Sequence, residues 1–284
     1  MKFVFIRAEK ANHALATLCR VVGVQRSSFY AWCNRPESQR SVDDSKLAAE
    51  IEAVFHEHKS RYGSVRITRE LRAKGVRVGR HRVRRLMRLT SLQARRRRAW
   101  IRTTDSRHAH PKAPNLLKRR FQIDQPNRVW AADITYLPTR CGWIYLAVVL
   151  DLFSRAVVGW SMSRRIDEKL VVDALDAALM QRTPLPGAIM HSDQGVQYAA
   201  AGHQQRLKAH EMSCSMSRKG DCWDNAVVES FFATLKRELL GDEVFADHQA
   251  ARTLVFEYIE TYYNRRRLHS TLGYVSPMEY ERAA

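Results

Sequence analysis

The sequence of 284 residues lacks long hydrophobic runs and contains only five cysteines. Its longest apolar stretch, 143–150, has eight residues, whereas a membrane-spanning helix needs about 20. Charged residues at positions 7, 9 and 10 come too early for the apolar core of a secretory signal. The cysteines form no Cys-x-x-Cys pair, which argues against a zinc module and a disulfide framework. We therefore expect a soluble, cytoplasmic protein.

Acidic residues are scarce in the first part of the chain. Residues 1–120 contain 30 Lys and Arg against 9 Asp and Glu, a net charge of +21, whereas residues 121–284 contain 18 against 20, a net charge of −2. A strongly basic region suits a nucleic acid, because phosphates neutralised by Lys and Arg release their counterions. A merely soluble cationic protein is the alternative, but basic residues that follow a helical pattern disfavour it. Two regions with different functions are predicted.

Residues 1–40 form a short helical segment in this prediction. Leu15, Cys19 and Val22 share one helical face with Leu18, Gly23 interrupts the pattern, and residues 27–32 resume it. Helix, glycine turn and helix outline a helix-turn-helix. Any small helical hairpin has the same pattern, so both interpretations stay open.

Residues 41–92 repeat this pattern as a helix-turn-helix-like DNA-binding module. Apolar stripes predict three helices, and in the third Val83, Leu86 and Met87 face inward. The outward positions of that helix carry Arg80, Arg82, Arg84, Arg85 and Arg88. Such a helix suits a DNA groove or the DNA backbone, although a solvated basic surface is the simpler alternative.

Residues 93–125 are predicted to be a basic linker. They have no apolar periodicity, and they begin with four consecutive arginines, Arg95, Arg96, Arg97 and Arg98. A segment of this kind can follow the DNA backbone without reading bases.

Residues 126–284 predict an α/β domain with a C-terminal helical tail. Three β-rich runs, 129–136, 143–150 and 156–161, predict an antiparallel meander. A helix, a strand, a helix, a strand and further helices follow. This order matches the ribonuclease H-like arrangement, a mixed sheet flanked by helices, here preceded by the small all-α region.

Three acidic residues of this domain stand out by position. Asp133 lies inside the first strand, where a buried charge is costly unless it is paired or binds a metal. Asp193 follows a short buried strand, at the strand end where active sites of open α/β sheets collect. Glu229 lies in a helix among apolar residues. Each has a simpler alternative, namely an arginine pair, a loop turn or a helix N-terminus.

Together these carboxylates predict a metal site. Oxygen ligands alone suit Mg²⁺ or Mn²⁺ and not zinc. Two such ions in one site can activate an attacking oxygen and stabilise the leaving oxygen of a phosphoryl transfer. The predicted cofactors are therefore two Mg²⁺ or Mn²⁺ ions held by Asp133, Asp193 and Glu229.

The segments around these three residues resemble the signature blocks of the DDE transposases of insertion sequences. The blocks are residues 130–136, 191–198 and 224–232. The similarity is greatest to the OrfB product of elements with two overlapping reading frames, which are relatives of retroviral integrases. Residues 151–155 and the tail from Tyr263 to Pro277 also look typical of that family.

The resemblance implies that Asp133, Asp193 and Glu229 are catalytic metal ligands, and that Lys236 contacts a phosphate of the terminal DNA. Hydrolysis at a transposon end would leave a 3′ hydroxyl, which would attack a second phosphodiester. The implied partners are double-stranded DNA (terminal inverted repeats and target), further copies of the chain, and the OrfA product as a fusion or complex. This chain has no sustained heptad pattern of its own.

Two rival functions remain open from the sequence. A tyrosine recombinase would use Tyr262 or Tyr263, which lie close to three consecutive arginines, and would form a covalent DNA adduct. A DNA-binding regulator would keep the fold and lack catalysis.

Overall fold

The computed structural model describes residues 1–95, 113–217, 225–241 and 243–284. One five-stranded sheet organises the second half of the described chain. Its strands are β1 (Val129–Thr139), β2 (Gly142–Asp151), β3 (Val157–Ser163), β4 (Ile189–Ser192) and β5 (Ser213–Met216).

The strand order is β3-β2-β1-β4-β5. β1, β2 and β3 form an antiparallel meander, while β4 pairs parallel with β1, and β5 pairs parallel with β4. The β-branched residues of the meander and the glycine turn between β1 and β2 favour this arrangement. The predicted mixed α/β sheet is confirmed.

Helices precede the sheet, connect its later strands and follow it. They are α1 (Lys2–Glu9), α2 (Leu15–Val22), α3 (Arg26–Cys33), α4 (Gln39–Glu57), α5 (Ser64–Ala73), α6 (Arg80–Leu89), α7 (Glu168–Gln181), α8 (Val196–Ala199), α9 (Ala201–Ala209), α10 (Ala226–Leu235), α11 (His248–Phe256) and α12 (Pro277–Arg282). Two π-helical segments, Lys236–Leu240 and Glu257–Tyr263, extend α10 and α11. A short 3₁₀ turn, Ser270–Leu272, precedes α12.

The first 40 residues contain one helix more than the periodicity predicts. α2 ends at Gly23, which adopts a left-handed conformation (φ +67°) as a glycine C-cap does. α1 was not predicted, and its Ile6 is fully buried against Leu18 and Phe29. These three helices form a small core of their own.

Successive side chains of β1 point to opposite faces of the sheet, and each face packs against a different core. Val129, Ala131 and Leu137 face the core that contains α10 and α11, whereas Trp130 and Ala132 face the core built around α7. Asp133 is an even number of residues away from Val129, Ala131 and Leu137, so its side chain points to the same face of the sheet, the one on which α10 lies.

Helices α4–α6 share the first of these cores with the C-terminal tail. Ile51 and Leu71 belong to the same buried cluster as Tyr258 and Ile259. Polar contacts reinforce this packing, because the Leu268 backbone N–H donates to the Tyr62 hydroxyl at 2.8 Å. The module predicted over 41–92 is therefore packed directly on the sheet domain.

The described part of the predicted linker is also packed. Leu117 is buried in the same core, and the backbone N–H of Leu116 donates to the Ser215 hydroxyl at 2.9 Å. A single buried leucine gives no periodicity, which explains why the pattern indicated only an open linker. Among the described residues, no helix combines the length and apolar character needed to cross a membrane.

Candidate active site

Two of the predicted carboxylates lie on neighbouring strands. Ala131 of β1 pairs with His191 of β4, and Asp133 and Asp193 each follow two residues later. Parallel neighbouring strands are about 4.8 Å apart, so this register brings the two aspartates side by side at the end of β4. The Asp193 Oδ1 accepts a hydrogen bond from the Gly195 N–H at 2.9 Å.

Glycine at position 195 maintains this arrangement of Asp193. A Cβ atom built on Gly195 would lie 2.9 Å from Asp193 Oδ1. Any larger residue would displace either the carboxylate or the turn that follows it.

The third carboxylate reaches the same region from α10. Asn225, which immediately precedes α10, donates from Nδ2 to the Ala132 carbonyl at 3.2 Å. This contact attaches the start of the helix to β1 beside Asp133, and Glu229 follows about one turn later. Glu229 is exposed rather than enclosed by the apolar residues that surround it in the sequence.

Electrostatics link the three residues. The pKa of Asp133 is raised well above its usual value, first by burial, then by the negative charge of Asp193, with a further contribution from Glu229. A carboxylate whose charge is disfavoured in this way gains from a bound cation. In the described ranges, no three His, Cys, Asp or Glu side chains are gathered closely enough to share one ion. Glu229 is thus within electrostatic range of Asp133 without completing a closed triad.

Lys236 lies on the same side and is buried rather than exposed. Its Nζ is 4.4 Å from the centroid of the Tyr136 ring, a cation–π contact. Burial lowers the pKa of Lys236 to about 8, while the nearby charge of Asp133 acts in the opposite direction. The lysine therefore carries its charge at neutral pH and loses it in mildly alkaline solution.

Lys236 begins a π-helical segment, and one arginine from the helical module and one from the predicted linker bind the carbonyls of that segment. Arg61 Nε donates to the Glu238 carbonyl at 3.2 Å. Arg95 Nη1 donates to the carbonyls of Glu238 and Leu239 at 3.3 and 3.0 Å. Arg95 is exposed, yet its guanidinium binds the protein's own backbone, a contact that the open linker expected for it does not include. π-Helical segments occur often at functional sites.

A buried ion pair beneath this segment escaped the sequence analysis. The Arg267 guanidinium binds the Glu238 carboxylate through Nε at 2.8 Å and Nη2 at 2.8 Å, and the Tyr258 hydroxyl donates to the same carboxylate at 2.9 Å. Arg267 holds the pKa of Glu238 below its usual value despite burial. The sequence contained one signal that could have revealed this ion pair, namely that Glu238 is surrounded by Leu235, Leu239 and Leu240.

The arginines of α6 divide into two groups. Arg82 and Arg85 bind the Asp44 carboxylate of α4, at 2.7 and 2.5 Å, and their hydrogen bonds lower the pKa of Asp44. Arg80, Arg84 and Arg88 are exposed and lie four residues apart, on one helical face. Arg96, Arg97 and Arg98 lie outside the described residues.

The tyrosines of the rival recombinase hypothesis are placed badly for attack on DNA. Tyr262 and Tyr263 are both buried, and burial raises the pKa of Tyr263 to about 12. The Arg61 guanidinium covers the Tyr262 ring at 4.3 Å. A nucleophile must be accessible and readily deprotonated, and neither hydroxyl meets these conditions.

Family models match most of the chain. A model described as "HTH-like domain" matches residues 42–100, and two described as "Integrase core domain" match residues 123–222 and 210–277. These ranges parallel the division between the helical module and the sheet domain.

Curated relatives match along nearly the whole length. The transposase InsF for insertion sequence IS3A of Escherichia coli (strain K12) is 44% identical over 283 residues, 99% of this chain and 98% of the relative. The transposase for insertion sequence element IS904 of Lactococcus lactis subsp. lactis (strain IL1403) is 45% identical over 249 residues, 88% of this chain and 98% of the relative.

Similar solved structures include the HTLV-2 integrase catalytic core domain in complex with magnesium, with a TM-score of 0.43 and 18% identity over 55% of this chain and 97% of that one. A simian T-cell lymphotropic virus intasome chain gives a TM-score of 0.47 and 15% identity over 82% and 74%.

Proposed function

The chain belongs to the insertion-sequence transposases related to IS3, and on that premise we propose that Asp133, Asp193 and Glu229 form the catalytic site of a DNA-cutting and DNA-joining reaction. The observation that carries this proposal is the pairing of β1 with β4, which puts Asp133 beside Asp193, together with the attachment of α10 to β1. The electrostatic effect of both other carboxylates on Asp133 supports the same grouping.

The residues of this site fit divalent metal ions. All ligand atoms would be carboxylate oxygens, which Mg²⁺ and Mn²⁺ prefer, and the raised pKa of Asp133 marks a position where positive charge is favourable. We propose two ions held by Asp133, Asp193 and Glu229, with Glu229 moving toward the aspartates when they bind. Such ions supply Lewis-acid activation of the attacking and leaving oxygens.

Two consecutive displacements at phosphorus follow from this site. In the first, water attacks the phosphodiester at a transposon end, the bond to the 3′ oxygen breaks, and the strand leaves with a 3′ hydroxyl. In the second, that hydroxyl attacks a phosphodiester of target DNA, the bond from its phosphorus to the target 3′ oxygen breaks, and the two strands are joined while the target strand leaves with a 3′ hydroxyl. The chain contributes positioning: the aspartates would hold the metal ions beside the reacting phosphate, and Lys236 would bind a neighbouring phosphate. No covalent protein intermediate is needed.

Metal-dependent nicking tests this proposal. The full chain is incubated with a labelled duplex carrying the element's own terminal repeat, with Mg²⁺ or with a chelator. We expect a free 3′ hydroxyl at the repeat end and joined strands only with the metal. A DNA-binding regulator would bind the duplex and leave it intact in both conditions, and a protein–DNA adduct resistant to SDS would indicate covalent catalysis instead.

The role of Lys236 predicts a pH effect. Between pH 7 and pH 9 the lysine passes through its pKa of about 8 and loses its charge. A charge-assisted hydrogen bond to phosphate is then lost, so affinity for the terminal duplex should fall about tenfold. Lys236→Arg keeps a charge throughout this range and should bind with less pH dependence. Equal pH profiles of the two proteins would contradict the role.

The helical module is proposed to bind DNA through the exposed face of α6. The triple variant Arg80→Ala, Arg84→Ala, Arg88→Ala should reduce the slope of log K against log salt by up to about 2.7, because each phosphate contact contributes about 0.9. The matched control is Arg82→Ala, which breaks an internal ion pair with Asp44. This variant should lower the free energy of unfolding, with only a small change in the salt slope. An unchanged slope in the triple variant would exclude this face.

The proposed partners are the terminal inverted repeats, target DNA, and further copies of the chain, because joining two ends requires two sites. A fusion or complex with an OrfA product is part of the proposal, because this chain has no sustained heptad pattern of its own. Sedimentation with one and with two terminal duplexes measures the number of chains in the complex.

A further inference from the structure

A pocket of about 180 Å³ lies beside α10. It is enclosed by α10, the end of β2 with the turn that follows, and the C-terminal tail. Its lining is mainly apolar with several polar groups; the lining residues are Leu150, Arg155, Ala226, Val227, Ser230, Phe231, Thr234, Tyr263, His269 and Thr271. Residues 151–155 and the tail were singled out by the sequence, and the catalytic site leaves both unexplained.

Arg155 supplies the cationic side of this pocket. Its Nη2 donates to the Phe121 carbonyl at 2.8 Å, and its buried Nη1 has no hydrogen-bond partner within the described chain. An unsatisfied guanidinium nitrogen is costly, and phosphate is the ligand that Arg binds best through several nitrogens. The pocket therefore has an unused donor for an anion.

His269 supplies a second polar group, and it is neutral. Its Nδ1 lies 2.9 Å from the Thr271 hydroxyl. Burial, followed by the positive charges of Arg267 and Arg155, lowers its pKa to about 4. The Thr271 hydroxyl occupies Nδ1, so only Nε2 of the neutral imidazole can make a hydrogen bond with the edge of a nucleobase.

The apolar side of the pocket suits a base rather than a bare phosphate. Val227 and Phe231 of α10 and Tyr263 of the tail form it. A phosphate or sulfate gains nothing from such a surface, whereas an unstacked base buries apolar area and can contact an aromatic ring.

From these features we propose that the pocket takes up one unpaired nucleotide of the DNA strand close to the cut. Its phosphate would bind Arg155, and its base would lie against the apolar wall with its edge at His269. This inference rests on the proposed function. Ser230, which lines the pocket, directly follows Glu229 in α10, so the nucleotide lies within a few positions of the cut.

The test uses the full chain, without metal, and terminal duplexes that carry 2-aminopurine at one position at a time around the cut. We expect a fluorescence increase at a single position, within a few nucleotides of the cut, because the base there leaves the stack. Ser230→Phe fills the pocket from its exposed rim and should abolish the increase and weaken binding about tenfold. Arg155→Gln should reduce both.

Matched controls separate this effect from general changes. Thr253→Phe places the same ring on an exposed position of α11, and Arg165→Gln removes an exposed positive charge; both should behave as the unmodified chain does. If Arg155→Gln fails to fold, Ser230→Phe still decides the question, because Ser230 is exposed.

Uniformly low fluorescence at all positions, or the same increase in Ser230→Phe, would overturn the proposal. If neutralising one DNA phosphate weakens binding but no base leaves the stack, the pocket binds a phosphate only, and the proposal is also overturned. Failure of the proposed function is distinct, since it would appear as absent Mg²⁺-dependent nicking by the unmodified chain.

Discussion

Asp133→Asn, Asp193→Asn and Glu229→Gln should each reduce strand cleavage by at least about 10³-fold while leaving binding to the terminal duplex nearly unchanged. Removing one carboxylate charge removes a metal ligand, and metal ions stabilise the charge of the transition state by several kcal/mol. Binding depends mainly on phosphate contacts of basic residues, which these substitutions preserve. Single-turnover nicking and a filter-binding measurement on the same preparations give the two quantities.

Matched neutralisations control for charge alone. Asp173→Asn and Glu211→Gln change acidic side chains on α7 and after α9, away from the site, and should cleave normally. The surroundings of Asp133 raise its pKa and so disfavour its charged form. Asp133→Asn should therefore also leave the fold at least as stable as before. Normal nicking by any of the three site variants would refute the catalytic assignment.

Arg267→Met should lower the free energy of unfolding by about 3–5 kcal/mol, because it leaves the buried Glu238 carboxylate without its cation. For a chain of this size the melting temperature should fall by on the order of 10 °C. Nicking should fall as well, even below the melting temperature, because Glu238 lies in the π-helical segment that begins with Lys236. Calorimetry and the nicking rate at low temperature measure the two effects.

Two variants sharpen this second prediction. Arg265→Met, two residues earlier and exposed, should melt as the unmodified chain does. The double variant Glu238→Leu, Arg267→Met removes both charges and should recover part of the lost stability, since replacing a buried ion pair with apolar residues is often neutral or favourable. Equal melting of Arg267→Met and Arg265→Met would contradict the importance of the pair.

The sequence predicted the sheet because its signals are local. Each strand of the meander is a β-rich run bounded by turn residues, and the parallel strand β4 is a short apolar run ending just before Asp193. The three helices of the module were predicted for the same reason, from apolar stripes at helical spacing. α1 was missed because its apolar residues show little periodicity, and only contact with α2 and α3 buries Ile6.

Features that depend on contacts between distant segments were not predictable. The segments containing Arg61, Arg95 and Arg267 all meet the π-helical segment after α10, yet they are separated by long intervals of sequence. The carbonyl contacts of Arg95 had no signal in the sequence, because an arginine that binds a distant backbone carbonyl has no distinguishing pattern around it. The same limit applies to Glu229, which has apolar neighbours in the sequence although its own side chain is exposed.

The candidate site was predictable only in part. The aspartates could be placed because each occupies a defined position on a strand, and the register of β1 with β4 supports their pairing. The pocket beside α10 could not, because its walls come from a turn, a helix and the tail. Those segments have no common pattern in the sequence.

The most direct test of the central claim is anomalous scattering from Mn²⁺ in crystals of the chain with its terminal duplex. We expect two peaks about 3.5–4 Å apart, bound by oxygens of Asp133, Asp193 and Glu229 and adjoining the phosphate to be cut. Peaks elsewhere, or a Glu229 side chain that contacts neither ion with DNA and metal bound, would contradict it.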